Sequence, residues 1–395
     1  LFTPLMPQVA SSYIEPRHII QAIREIRGKR RFRFIRGKVQ HIDVADRVVH
    51  TSDARIPYDY LVVALGSKTG YFGVPGAEEH TFPFKTLEDA IVLRRHVIDL
   101  FEHADREPDP GLKRQLLTFV VVGGGYTGVE LVAELNDFIR KYAAKKYQGI
   151  FYNDTKLLLL ESDPEILKGV DPDLAARAMK KLRSDNIEVR TSARVSRCYP
   201  EGVEINGEVL IKAGLVVWAA GVMANPVLES TPFPKDRLGR LKVNTHLQVQ
   251  GYPEVYAVGD NAHLEGAPAA KASRPVIPIA LHQGRRAAEN IVASIRGEEM
   301  KPAEYKPRGY LVSLGMNDAV LKVWRFKMHG FFAWLLWNAY HVFKLVGLKK
   351  QLQVAADWSL ATVFPRDGSI IIPSDRCERC RRAAGKREAE VLPVE

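Results

Sequence analysis

Short, continuously apolar runs recur along the chain, each closed by a small residue or a turn: Tyr60–Leu65, Phe119–Val122, Leu157–Leu160, Val216–Ala220 and Val255–Val258. Runs of this length carry no period-2 alternation, so they predict strands buried on both faces rather than half-exposed ones. The run at 119–122 passes directly into Gly123-Gly124-Gly125-Tyr126-Thr127-Gly128, and a helix-like run, Leu131 to Leu135, follows. Strands are expected near residues 118, 157, 187 and 215 in this central part, and a strand over Leu241–Val249 later. The polar, basic stretch Asn136 to Thr155 reads as a lengthened helix and loop. The last part differs: Gly330 to Leu348 is the most aromatic stretch, interrupted by Asn338, His341 and Lys344. These polar residues make it a poor membrane-spanning segment.

The glycine turn supplies the first chemistry. A GxGxxG between a buried strand and a helix is a dinucleotide fingerprint in its proper setting. Gly123 permits the tight turn, Gly125 lets backbone approach a pyrophosphate, and Gly128 lets the helix lie close to the strand. Glu161 ends the next apolar run, 38 residues after Gly123, against a usual separation of ~20. A carboxylate there accepts hydrogen bonds from ribose hydroxyls and repels the extra phosphate of NADPH. The bland alternative is a surface acid after a core strand. Ala64 and Gly66 close one apolar run, Gly221 another, and Gly259-Asp260 a third. Small residues at such ends let a cofactor approach the backbone, although a Gly-Asp after a strand is also an ordinary turn.

These segments, in this order, resemble the type II NADH dehydrogenases, the single-subunit NADH:quinone oxidoreductases of the membrane surface. The likeness runs from Leu1 to about Pro365 and includes LFTPLMPQVA at 1–10, VALGS at 63–67, GGGYTGVE at 123–130, WAAGV at 218–222 and VYAVGD at 255–260. It implies an α/β fold of two dinucleotide-binding, Rossmann-like domains, with the NADH domain inserted in the FAD domain and a membrane-surface segment at the C-terminal end. It implies FAD and NADH as cofactors, hydride transfer from NADH to FAD, and then two electrons to a quinone without proton pumping. Gly123, Gly125, Gly128 and Glu161 are expected to bind NADH. Ala64, Gly66, Gly221, Gly259, Asp260 and Ala280 are expected to bind the cofactors. Glu130 matches a family glutamate near the contact of nicotinamide and flavin; its simpler role is interaction with the helix dipole. The family's quinone motif, of the form Ala-Gln-x-Ala-x-Gln, falls on Ile277 to His282. Pro278 and His282 stand where the glutamines would be, so the polar contacts do not carry over directly and His282 is the candidate in their place. The family also begins with a FAD fingerprint ahead of LFTPL, so roughly 35 to 45 residues are expected before Leu1.

The domains are expected at 1–113 (first FAD part), 114–234 (NADH), 235–310 (second FAD part), 311–375 (membrane association) and 376–395 (a basic tail, expected to be mobile). The breaks lie at Glu107–Gly111 and Pro226–Pro234. A net charge of +11 with a pI near 9.4 suits anionic partners, but no nucleic-acid motif accompanies it. A membrane lipid surface is the expected partner, on the cytoplasmic face, with Phe331, Phe332, Trp334, Leu335, Trp337, Tyr340 and Phe343 as insertable bulk. Lys322, Arg325, Lys327, Lys344, Lys349 and Lys350 form its basic border. A homodimer stays open. Three cysteines exclude a disulfide scaffold. No cysteine precedes Cys198, which argues against a disulfide reductase of the same fold. Cys377 and Cys380 are too few for a zinc site, so no metal is expected. Reduction of another acceptor, or a non-catalytic flavoprotein role, is the alternative.

Overall fold

The computed structural model describes residues 1–26, 32–140, 146–265, 276–305, 307–364 and 366. By its internal contacts the chain divides into two units. One holds Leu1–Glu25, Tyr71–Gly221 and the chain from Arg308; the other holds Ile26–Gly70 and Val222–Pro307.

The first unit is built on a five-stranded parallel sheet in the order Phe82–Pro83, Leu215–Trp218, Thr118–Val122, Lys156–Leu160, Ile187–Arg190. Every residue of Thr118–Val122 is buried, as a central strand covered on both faces requires. The four strands expected near 118, 157, 187 and 215 are all present. Helix Leu87–Arg106 starts at Thr86, whose side chain accepts from Asp89 N while the Asp89 carboxylate accepts from Thr86 N; this reciprocal cap sets its first turn. Phe101 from this helix stacks on Phe119 at 5.9 Å. The short helix Met6–Ala10 packs on Leu87–Arg106 and on Tyr126–Phe138. An antiparallel sheet of Gly309–Ser313, Ala319–Val323 and Phe326–His329 belongs to the same unit, followed by helices Phe331–Lys344 and Leu348–Val363.

In the second unit, strands Ala262–Leu264, Leu241–Val243, Gln248–Val249, Tyr252–Ala257 and Leu61–Val63 form one mixed sheet in that order. Val39–Asp43, Val48–Thr51 and Arg55–Pro57 form an antiparallel one, and helix Ile277–Arg296 ends at Gly297 with φ +66°. The single strand expected over Leu241–Val249 is instead two. Asn244 Oδ1 accepts from the backbone N–H groups of His246 and Gln248, a local turn that breaks the strand.

The contact units divide the chain differently from the expected breaks. Residues 71–113 go with the glycine-loop sheet, because Phe82–Pro83 pairs with Leu215–Trp218. Residues 222–234 go with the second unit, because Val222–Ala224 pairs with Ser67–Thr69. The C-terminal sheet joins the first unit through Gly309–Ser313, which packs on helix Tyr126–Phe138. The basic tail at 376–395, with Cys377 and Cys380, lies outside the described residues.

Candidate functional site

Backbone crowding explains the glycines of the first unit. Gly123 has φ +111°, and a Cβ on it would lie 2.6 Å from the Ala219 carbonyl oxygen. A Cβ on Gly128 would lie 1.8 Å from the Gly123 carbonyl oxygen, so any side chain there forces helix and strand apart. Gly125 is different. It is exposed, it precedes helix Tyr126–Phe138 without capping it by a side chain, and no atom lies within 4 Å of its Cβ position. The turn therefore leaves open space at the start of a helix, where N–H groups and the dipole favour a phosphate.

Glu161 stands at this turn because Val122 and Leu160 are register partners in adjacent strands; the long sequence separation is irrelevant to the distance in space. Its Oε2 accepts from Gly124 N at 2.6 Å, and its Oε1 from Asp163 N at 2.8 Å and Ser162 Oγ at 3.0 Å. Backbone donors thus hold the carboxylate at the loop, and the one lone-pair site left on Oε2, with that on Oε1 if Ser162 Oγ turns away, can accept hydroxyls. Gly221, with φ +147°, follows the Ala219–Ala220 backbone that touches Gly123; a Cβ on it would meet the Phe72 ring at 2.9 Å. Phe72 went unnoticed in the sequence, since an exposed aromatic between Tyr71 and Gly73 carries no pattern.

Glu130 is half-buried, one turn into the helix. Its Oε1 accepts from Ser313 N at 2.9 Å. Burial pushes its carboxyl up to about 8; the nearby Glu134 adds to this and the Ser313 N–H opposes it. The Trp337 indole lies in its electrostatic surroundings, but its Nε1 makes no hydrogen bond of ordinary geometry among the described residues. A folded-state pKa above the unfolded value of 4.5 means that only the folded chain holds this proton between pH 4.5 and about 8. Stability is therefore lost as pH rises through that window. Glu130→Gln, which has no proton to lose, is expected to melt higher than the unmodified holoenzyme at pH 8, with the two converging toward pH 5. Parallel melting curves across that range would remove the burial argument.

The second unit gathers Ala64, Gly66, Gly259, Asp260, Ala280 and His282. Ala64 is exposed just after strand Leu61–Val63. Gly66 has φ +67° and no atom within 4 Å of its Cβ position, while Gly259 has φ +68° and faces the Ala280 methyl. Gly259 N donates to Gln283 Oε1 at 2.7 Å, and Ser67 Oγ donates to Asp260 Oδ2 at 2.5 Å. Buried Asn261 donates through Nδ2 to the Val63 and Val258 carbonyls, leaving its Oδ1 without a partner among the described residues. Gln283 and Asn261 were not read from the sequence; isolated amides carry no recognisable spacing. Nε2 of His282 is likewise buried and unpartnered among the described residues, with the Tyr305 ring 5.6 Å away. Open backbone at Ala64 and Gly66, an acid fixed by Ser67, and an orphaned amide oxygen fit a polar cofactor. Among the described residues no cluster of metal-ligating side chains occurs.

The C-terminal helices present an apolar face. Helical spacing puts Trp334, Trp337 and His341 on one side of Phe331–Lys344, and all three are buried. The expectation that Trp334 and Trp337 insert into lipid is therefore corrected: they pack inward. Phe331, Phe332, Leu335, Tyr340 and Phe343 point out, and Leu348, Leu352, Leu360 and Val363 of the next helix join them. Two members of the expected basic border are engaged elsewhere: Lys322 and Lys327 pair with Asp171. No helix among the described residues is long and apolar enough to cross a membrane.

Residues 1–284 match the pyridine nucleotide-disulphide oxidoreductase family. A "Probable NADH dehydrogenase" of Dictyostelium discoideum is 31% identical over 378 residues, covering 93% of this chain and 83% of that protein. The type II NADH:quinone oxidoreductase Ndh of Mycobacterium tuberculosis is 31% identical over 390 residues, covering 94% and 82%. Among solved structures, NDH2 of Plasmodium falciparum in complex with NADH superposes with a TM-score of 0.85 at 19% identity, covering 93% of this chain and 92% of that one. With the glycine turn, the acid held against it and the Gly-Asp turn in place, this chain belongs to the pyridine nucleotide-disulphide oxidoreductase family and, within it, to the type II NADH:quinone oxidoreductases.

Proposed function

We infer that the chain is an NADH:quinone oxidoreductase that uses FAD to pass two electrons from NADH to a quinone, without proton pumping. The observation that carries this reading is Glu161 held at the glycine turn by Gly124 N and Asp163 N. When bound, FAD supplies the two-electron chemistry, taking a hydride from NADH and returning electrons to the acceptor. The chain binds, orients and holds protons. Glu161 receives the ribose hydroxyls and Gly125 admits the pyrophosphate. Asp260, oriented by Ser67, receives the polar middle of FAD beside Ala64, Gly66 and Gly259, with Ala280 keeping nearby backbone accessible; Gly221 keeps the backbone open beside Gly123 in the first unit. Glu130 holds a proton at neutral pH.

His282 takes the quinone. Its Nε2 is buried and unpartnered among the described residues, so a quinone oxygen that reached it would meet an imidazole nitrogen with no competing partner there. His282→Ala is expected to slow quinone reduction while NADH still reduces the flavin at the unmodified rate; an unchanged quinone rate removes His282 from the mechanism. The whole reading is tested by denaturing the purified protein, which should release non-covalent FAD, and by NADH oxidation with a soluble quinone. A protein that stays colourless after incubation with FAD overturns it. His282 and Pro278 in place of the family's glutamines favour a second reading, reduction of a different acceptor; NADH-reduced flavin that ignores quinones would support that one.

The outward apolar residues of the last two helices, with Arg325, Lys344 and Lys349 around them, support peripheral attachment to lipid on the cytoplasmic face. A homodimer through the same face is the competing use.

A further inference from the structure

Behind the glycine turn lies a buried polar cluster that cofactor binding does not use. Glu134, one helical turn after Glu130, is 1% exposed. Its carboxylate accepts from Ser11 Oγ at 3.0 Å, Gln8 Nε2 at 3.4 Å and Arg366 Nη2 at 3.5 Å. Arg366 is 4% exposed. It also donates to the carbonyl oxygens of Ser11 at 3.1 Å and Glu134 at 3.4 Å, and lies over the Tyr13 ring at 4.5 Å.

The hydrogen-bond directions and the buried guanidinium together favour the carboxylate form. The indole N–H of Trp358 can only donate, and it does so to Gln8 Oε1 at 2.9 Å. That orients the Gln8 amide, so its NH2 faces Glu134. Arg366 also can only donate. Of its three side-chain neighbours only the Ser11 hydroxyl, which can turn its own hydrogen to the Gln8 carbonyl at 3.2 Å, could accept a hydrogen from a protonated Glu134; Gln8 Nε2 and Arg366 cannot. Burial pushes the Glu134 carboxyl up, but Arg366 opposes this: its buried, permanently charged guanidinium needs a counter-charge, and Glu134 is the carboxylate it pairs with.

We propose that Glu134 is a positioning residue for Glu130: fixed in its ionised form by Gln8, Ser11 and Arg366, it biases the neighbouring Glu130 toward holding a proton. The proposal rests on the reading of Glu130 as the proton-holding residue. Residues i and i+4 of a helix have Cβ atoms ~5–6 Å apart, and a like charge at that range disfavours ionisation. His341 and Tyr13, beside the pair, do not titrate in the same window. His341 is held by burial at about 4, burial pushes Tyr13 above its ordinary range, and the Asp137 carboxylate accepts from Met316 N. The arrangement also ties protonation to the C-terminal part of the chain, because Trp358 lies on helix Leu348–Val363 and Arg366 follows that helix.

The test follows the infrared carbonyl band of protonated carboxyl groups in the oxidised holoenzyme during a pH titration. A band with its midpoint near pH 8 is expected to vanish in Glu130→Gln. In Glu134→Gln the midpoint should fall by about one pH unit, tenfold in proton affinity, since the like charge is gone and Arg366 remains. In Arg366→Met the stranded Glu134 should take up a proton and add a second band. If Glu130→Gln leaves the first band untouched, the reading of Glu130 fails. If Glu130→Gln removes it, but Glu134→Gln keeps the midpoint and Arg366→Met adds no band, the role of Glu134 is overturned. Should Glu134→Gln fail to fold, the second band in Arg366→Met decides alone.

Discussion

Phe332→Glu, Phe343→Glu, Leu352→Glu and Val363→Glu combined in one chain are expected to release the protein from anionic liposomes. The four side chains are 68%, 79%, 62% and 76% exposed, and they lie on two successive helices. Burying an apolar side chain of this size is worth about 1.5–3 kcal/mol. At even half the lower figure, four of them contribute about 3 kcal/mol, more than a hundredfold in binding by the 1.4 kcal/mol-per-decade rule. The introduced carboxylates also repel anionic headgroups. Because the inward residues Trp334, Trp337 and His341 are untouched, bound FAD should be retained, which serves as the control for folding. Co-sedimentation with liposomes measures the result. Undiminished sedimentation places the attachment elsewhere. A loss of self-association at constant lipid binding reassigns the face to a second copy of the chain.

Glu161 carries the other large effect. The unmodified protein is expected to prefer NADH over NADPH by ~30- to 150-fold, the equivalent of about 2–3 kcal/mol. The carboxylate would repel the 2′-phosphate and accept ribose hydroxyls that NADPH cannot offer in full. Glu161→Gln keeps an acceptor for Gly124 N but removes the charge, so it should narrow the ratio. Glu161→Arg should reverse it, because a guanidinium pairs with phosphate. The ratio of kcat/KM for the two nucleotides decides, and equal values in the unmodified protein would refute the assignment.

Local chemistry made the glycine turn legible: a strand, three glycines and a helix follow one another within twenty residues, so spacing and geometry coincide. Glu161 was legible for a related reason, since it ends a buried run and strand ends converge at such turns. The C-terminal segment was readable as aromatic bulk with a basic border, but which of its residues pack inward was not. Trp334 and Trp337 are as apolar as Phe332 and Phe343, and only the neighbouring sheet Gly309–His329 selects between them.

The sequence by itself determined the order of buried strands, the dinucleotide turn, the acid beside it and the aromatic C-terminal segment. Tertiary structure alone decided the division into contact units, through pairings such as Phe82–Pro83 with Leu215–Trp218 and Val222–Ala224 with Ser67–Thr69. It also decided that Gln283 fixes Gly259 and that Arg366, 232 residues after Glu134, closes a charge shell around it. Periodicity and motifs record what neighbours along the chain do to one another. A buried ion pair or an amide holding a distant turn leaves no trace in spacing, because its partners meet only when separate elements pack.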